Sequence, residues 1–353
     1  MEYRKAGRSD LELSILGLGC WSLGGGTYWG DSNPEDEKRL LHTAFDLGIN
    51  YFDTAELYYD GRSEEALGRA IKELPRDRLI IGSKIFPTNA YYQQTLDHCE
   101  ASLKRIDTDY LDLYMVHWPL NMRSLELATK DENILSNPPQ VEDTVAALLK
   151  LRDQGKIRNI GVSNFGNYWM QEFERQGIMI AVNQLIYNLF SRAIEFEILP
   201  YCEQSDTGVI GYSGLMEGLL TGKYESLDDI PAHYCRTRHY HKDRSPQSRH
   251  GGEGCEKEMT EALHKIRKIA DDEGIGMAEL SIWWATRNKA ITCVLAGTRS
   301  PERLKENVAG ATAVLPDDIY QALDEVSRPV MDALGPYPDA YEHPSLDRTK
   351  LKV

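Results

Sequence analysis

Apolar and polar residues follow two rhythms along this chain. Short, mostly continuous apolar runs recur at Ile15–Gly19, Leu79–Lys84, Leu111–His117, Ile157–Ser163, Ile178–Gln184, Val209–Ser213 and Ile291–Leu295, with a shorter one at Asn50–Phe52. Runs of this length without alternation read as strands buried on both faces. Between them lie stretches with helical spacing. In Glu35–Leu47, residues Leu40, Leu41, Ala44 and Leu47 fall on one side. Glu64–Leu74, Gln93–Ile106, Val141–Gln154, Tyr168–Arg175, Ala193–Gln204, Glu256–Glu273, Met277–Thr286 and Pro301–Val308 also read as helices. Strand and helix alternate through about eight units, the pattern of an α/β chain closed into a (β/α)8 TIM barrel. Residues 1–13, with a Gly7-Arg8-Ser9 turn, predict an N-terminal β-hairpin that plugs the barrel floor. Residues 331–353 read as a C-terminal tail, and the whole of 1–353 as one barrel domain.

Two segments break the rhythm, Leu120–Gln140 and Glu225–Glu256. Loops this long are usually functional or disordered. The second follows a predicted strand, which places 225–256 on the face where barrel sites lie. Within it, His233–His250 holds Arg236, Arg238, Lys242, Arg244 and Arg249 against a single acid, Asp243. Two expectations follow: a cap over a phosphate or other anionic group, or a solvated basic loop.

Composition narrows the function classes. With 353 residues, 41% hydrophobic and 27% charged, the chain is that of a globular protein. Its net charge of −15 argues against nucleic acid and anionic membranes as partners. The N-terminus is polar, and no stretch approaches the roughly 20 apolar residues of a membrane span. A cytoplasmic location is the expectation. Cys20, Cys99, Cys202, Cys235, Cys255 and Cys293 are scattered and form no CxxC pair. They read as reduced packing residues. His233, Cys235, His239, His241 and Cys255 match no zinc spacing, so no metal is expected.

Candidate chemistry sits at the ends of three predicted strands. Tyr51-Phe52-Asp53-Thr54-Ala55 continues to Tyr58; Ile81-Gly82-Ser83-Lys84 follows; Met115-Val116-His117-Trp118-Pro119 is third. Alone, an Asp before a helix is more often a cap, a Lys ending a strand a solvated charge, and a His a satisfied polar group. Together, Asp53, Tyr58, Lys84 and His117 resemble the catalytic tetrad of the aldo-keto reductases. The resemblance runs from about Tyr3 to Val326. It includes Ser63-Glu64, Ala101–Arg105, Asp109–Leu113, Gly155–Arg158, Gly161–Phe165, Gly218–Tyr224 and Arg303–Asn307. It implies reduction of an aldehyde or ketone by NADPH. Tyr58 would donate the proton, Lys84 would lower its pKa, Asp53 would hold Lys84, and His117 would orient the carbonyl oxygen.

The resemblance also implies a cofactor path. Ser163, Asn164 and Gln184 would hold the carboxamide, and Tyr212 would stack on the nicotinamide. Trp21 also falls among the cofactor-binding positions. Ser213, Leu215 and Lys223 would line the pyrophosphate, and Gly297, Arg299, Arg303, Glu306 and Asn307 the adenosine end. Arg303 in the first turn of a helix opposes the dipole, which a bound 2′-phosphate would explain. A surface arginine is the alternative. Gly17–Ser22 lacks the third glycine of a Rossmann fingerprint. Gly214, Gly297 and Arg303 depart from residues common in the family, and Gly214 is expected to loosen the pyrophosphate loop.

Trp29, Tyr59 and Trp118, with Trp21, are candidate pocket walls; each is equally a core aromatic. The partner expected is a small carbonyl compound, including a sugar-derived one. A different class remains: some relatives of the family serve as potassium-channel subunits with slow catalysis, and a third reading is an NADP-binding sensor. The chain starts almost at the barrel, which favours the enzyme, and the intact set of four residues argues against a sensor.

Overall fold

The computed structural model describes residues 1–352. Eight parallel strands close into a barrel in the order β10-β3-β4-β5-β6-β7-β8-β9. They are β3 (Leu16–Gly19), β4 (Tyr51–Asp53), β5 (Ile80–Ile85), β6 (Leu111–Val116), β7 (Ile157–Ser163), β8 (Val182–Ile186), β9 (Gly208–Tyr212) and β10 (Cys293–Ala296). The fold class read from the pattern is the one observed. β1 (Tyr3–Lys5) and β2 (Glu12–Ser14) form the antiparallel hairpin ahead of it. Ala6, Leu11 and Leu13 from the hairpin pack with Tyr51, Leu113, Met115, Val182 and Ile210 from the barrel strands. The floor is thereby sealed by apolar burial.

Helices α1 (Pro34–Asp46), α2 (Arg62–Ile71), α3 (Tyr92–Ile106), α4 (Met122–Ala128), α5 (Glu132–Ser136) and α6 (Val141–Asp153) cover the first half. The second half carries α7 (Asn167–Arg175), α8 (Ile198–Ser205), α9 (Glu256–Glu273), α10 (Met277–Arg287), α11 (Pro301–Thr312) and α12 (Asp317–Leu334). Helix starts follow local chemistry. The Asn33 side chain accepts from Glu35 N at 2.9 Å, with Pro34 at the first position. Ser300 caps α11 through Arg303 N at 3.3 Å, again before a proline.

Four details differ from the pattern. Ile178 and Ile180 are buried but precede the strand, so β8 begins at Val182. Ala193–Gln204 divides into a 3₁₀ turn at Ala193–Glu195 and α8. The non-periodic stretch 120–140 contains α4 and α5. Residues 331–334 end α12 instead of opening the tail. Beyond them the tail is no loose end: Asp339, Glu342, Asp347, Arg348 and Thr349 are buried over the barrel top. No helix among the described residues is long and apolar enough to cross a membrane.

Candidate active site

The C-terminal ends of β4, β5 and β6 converge. Parallel register sets Asp53 beside Gly82 and Lys84 beside Met115. Lys84 Nζ, fully buried, donates to Asp53 Oδ2 at 2.7 Å, to the Thr54 carbonyl at 2.8 Å and to Tyr58 Oη at 3.3 Å. Asp53 Oδ1 accepts from Tyr51 Oη at 2.9 Å and from Gln184 Nε2 at 2.7 Å. A buried carboxylate is tolerable because cation and donors satisfy both its oxygens. Neither a role for Tyr51 nor the Gln184–Asp53 contact was marked by the sequence pattern, which places Tyr51 at a strand end and reads Gln184 as a ligand contact.

Tyr58 lies on the turn between β4 and α2. The turn is pinned by Ser63 Oγ, which donates to the Cys20 carbonyl at 2.7 Å. Glu56 ties the same turn to the next one, accepting from Phe86 N at 2.9 Å, Asn89 Nδ2 at 2.8 Å and His98 Nδ1 at 2.7 Å. The His117 ring meets Tyr58 edge-on at 5.7 Å and Phe86 at 5.8 Å. The four residues are therefore brought together.

Burial dominates their titration. It pushes the Tyr58 phenol above its ordinary value of 10.0, although the Lys84 cation pulls the other way. The expectation of a lowered tyrosine pKa is thus corrected: Lys84 acts in the expected direction and desolvation outweighs it. Burial first, then the Lys84 charge, holds His117 well below 6.5, so its imidazole is neutral at neutral pH. His117 Nδ1 is buried with no hydrogen-bond partner among the described residues.

Beyond these four, β7 to β9 carry a second set. Ser163 Oγ donates to the Gln184 carbonyl at 3.0 Å, and Asn164 Nδ2 to the His117 carbonyl at 3.0 Å. Tyr212 Oη donates to Asn164 Oδ1 at 2.8 Å. Asn164 and Ser213 both adopt left-handed backbone (φ 62° and 60°), as do Tyr59, Asp60, Met216 and Glu217. Non-glycine residues in this region carry strain and cluster at functional sites. Gly214 packs tightly: a Cβ there would stand 2.9 Å from Val294 Cγ1. Glycine is thus what lets this loop lie against β10, and the expected loosening is corrected.

At the far end of the groove, Leu215 is half-buried and Lys223 is exposed, its Nζ 4.5 Å from the Tyr224 ring centre. A Cβ on Gly297 would meet nothing within 4 Å. Arg299 Nη1 donates to the Asp31 carbonyl at 2.9 Å. Arg303 and Glu306 are exposed on α11, while Asn307 is buried.

Chain comparison agrees with this arrangement. The Aldo/keto reductase family profile matches residues 15–328. This chain belongs to the aldo/keto reductase family. Aldo-keto reductase YhdN of Bacillus subtilis is 32% identical over 350 residues, covering 95% of this chain and 97% of that protein. Methylglyoxal reductase YeaE of Escherichia coli is 39% identical over 210 residues, 59% of this chain and 66% of that one. The crystal structure of an aldo-keto reductase from Klebsiella pneumoniae in complex with NADPH superposes with a TM-score of 0.68 at 30% identity, covering 92% of this chain and 95% of that one.

Within the family fold, the aromatic candidates spread over the mouth. Trp21 stacks on Tyr28 at 5.1 Å and lies 6.2 Å from Tyr58. Trp29 meets Trp21 edge-on at 5.4 Å. The Tyr59 ring lies where a side chain on Gly26 would be, 1.9 Å from the ideal Cβ. Trp118 is covered on one face by Arg348, whose Cζ sits 3.5 Å from the ring centre.

The basic loop is ion-paired within the chain. Arg236 pairs with Glu217, Lys242 with Glu253, Arg244 with Asp228 and Glu256, and Arg249 with Glu342. Arg238 donates to the carbonyls of Leu334 and Tyr337. The charges are thus partnered within the chain, while Lys242 and Arg249 stay partly exposed, at 41% and 43%. His239 Nε2 donates to the Phe190 carbonyl at 3.0 Å and lies 3.3 Å from Ser191 Oγ, its Nδ1 accepts from Thr237 Oγ1 at 3.0 Å, and burial brings its pKa to about 4. All six cysteines are buried and unpaired. Sequence reasoning missed Tyr28, Glu217, Asp339, Tyr341 and Arg348. They come from loops and the tail, where no periodicity marks a side chain.

Proposed function

We propose that this chain reduces a small aldehyde or ketone to the alcohol, with NADPH as reductant and Tyr58 as proton donor. The observation that carries this is the buried Asp53–Lys84 pair reaching the Tyr58 hydroxyl, with His117 across the ring. The residues fit a nicotinamide dinucleotide phosphate: Gly297 leaves an open approach beside α11, and Arg303 stands exposed in that helix's first turn. A cation there opposes the helix dipole, and a 2′-phosphate between them satisfies both. Ser163, Asn164, Gln184 and Tyr212 would hold the nicotinamide end, and Trp21, Ser213, Leu215, Lys223, Arg299, Glu306 and Asn307 the rest.

When bound, the cofactor supplies a hydride to the carbonyl carbon. Charge then builds on the carbonyl oxygen, which takes the proton from Tyr58. The phenolate left behind is stabilised by Lys84, and Asp53 balances the cation. His117, neutral, donates an N–H to the same oxygen and so polarises the carbonyl. Trp29, Tyr59 and Trp118 would line the pocket. The test is loss of the reduced-nicotinamide absorbance of NADPH with methylglyoxal as substrate. Turnover in the native chain and its loss in Tyr58→Phe are expected; equal rates in both would overturn the assignment.

A further inference from the structure

A continuous side-chain arch spans the barrel mouth. It starts at Trp21, 6.2 Å from Tyr58, and passes to Tyr28 by stacking at 5.1 Å. Arg236 is sandwiched next, its Cζ 5.0 Å from the Tyr28 ring centre and 5.5 Å from that of Tyr341. Tyr341 N donates to Asp339 Oδ1 at 3.1 Å, and Arg348 Nε to Asp339 Oδ2 at 2.6 Å. Arg348 ends the arch on Trp118, the neighbour of His117. One foot therefore stands beside Tyr58, and the other brings the Arg348 charge to act on His117.

The arch joins three parts of the chain distant in sequence: the β3–α1 loop, the basic loop and the tail. Arg236 is its keystone. Cation–π contacts hold two aromatic faces at once, and Glu217 locks the centre, accepting from Arg236 Nη2 at 3.1 Å and from Tyr28 Oη at 3.1 Å. Arg236 and Glu217 are both mostly buried, so the pair is screened little by solvent. Asp339 is 1% exposed and Arg348 6%, which fixes the far foot as firmly.

We infer that this arch, with Arg236 as keystone, is a size filter restricting the site to carbonyl compounds with a small substituent beside the reacting carbon. Its rigid feet stand beside the reacting groups, so a bulky substituent must displace a stacked, ion-paired side chain to reach them. A misfit of even one methylene in a tight pocket changes discrimination by about 10- to 200-fold. The inference rests on the carbonyl-reductase reading of the same site.

Methylglyoxal and phenylglyoxal carry the same reacting group and differ in a methyl against a phenyl. Their kcat/KM values with NADPH are to be compared in the native chain, Arg236→Ala and Arg236→Lys, each checked for fold by circular dichroism. The lysine variant keeps the charge opposite Glu217 and protects folding while losing the planar stack. The phenylglyoxal-to-methylglyoxal ratio is expected to rise about tenfold or more in each folded variant. Native turnover with an unchanged ratio overturns the filter alone, whereas a native chain that reduces neither compound overturns the reductase reading with it.

Discussion

At the scale of single residues, burial sets the chemistry. Tyr58 keeps its proton above pH 10.0 because desolvation exceeds the pull of Lys84. A proton donor must be protonated, so the reduction rate should stay level through the neutral and mildly alkaline range and fall only above about that pH. The neutral state of His117 removes the acid limb that an ordinary histidine would give near 6.5. A pH profile of kcat/KM for methylglyoxal checks both; an inflection near 6.5 that disappears in His117→Gln would contradict the neutral imidazole. Arg303→Ala should raise the KM for NADPH by about 10- to 100-fold, the weight of a charge-assisted phosphate bond, and leave NADH little changed. Steady-state kinetics with both cofactors decide it. Asp53, Lys84 and His117 were legible in the sequence because each ends a mostly apolar run, and Tyr58, on the turn after β4, through the family resemblance. The direction of the Tyr58 shift was not, because desolvation depends on what surrounds the ring.

At the scale of elements, legibility follows periodicity. β10 stands out as an unbroken apolar run and α9 as a regular amphipathic stretch, whereas α10 is buried nearly all round. β8 is displaced because Ile178 and Ile180 are buried by packing ahead of the hydrogen-bonded ladder. α12 went unmarked despite its buried Leu323, Val330, Met331 and Leu334, since Pro329 interrupts the reading of a helix. Loops lie outside any period, yet one of their glycines carries a clear demand. A Cβ on Gly166, at the start of α7, would stand 2.4 Å from the Thr349 carbonyl oxygen, to which Gly166 N already donates at 3.1 Å. Gly166→Val should therefore push the tail off the barrel top and cost about 1–3 kcal/mol. Denaturant titration measures the cost, and limited proteolysis of the tail should accelerate; a native-like protease pattern would contradict the docking role of this glycine.

At the scale of the molecule, the chain pairs the charges of its basic loop internally. A net charge of −15 gives no hint that the basic loop is neutralised by Glu217, Asp228, Glu253, Glu256 and Glu342. Glu342 is fully buried and takes Arg123 from the β6 side and Arg249 from the basic loop, joining both to the tail. Glu342→Gln should lower stability by about 1–3 kcal/mol, less than for a wholly buried pair because both arginines regain partial hydration. A fall in Tm of a few degrees, reproduced in Arg123→Gln, would support it; unchanged melting in both would dismiss it. The two Glu342 partnerships join residues 93 and 219 positions apart, and no local pattern encodes them.

The most direct test of the account is single-turnover reduction of methylglyoxal by the NADPH-loaded chain, native and Tyr58→Phe. Loss of the phenolic proton should slow the step by about 10²- to 10⁴-fold while NADPH binding, read by fluorescence, stays near native. Equal rates would remove Tyr58 from the chemistry, and tight NADPH binding without turnover in the native chain would make this barrel a cofactor-binding protein instead of a reductase.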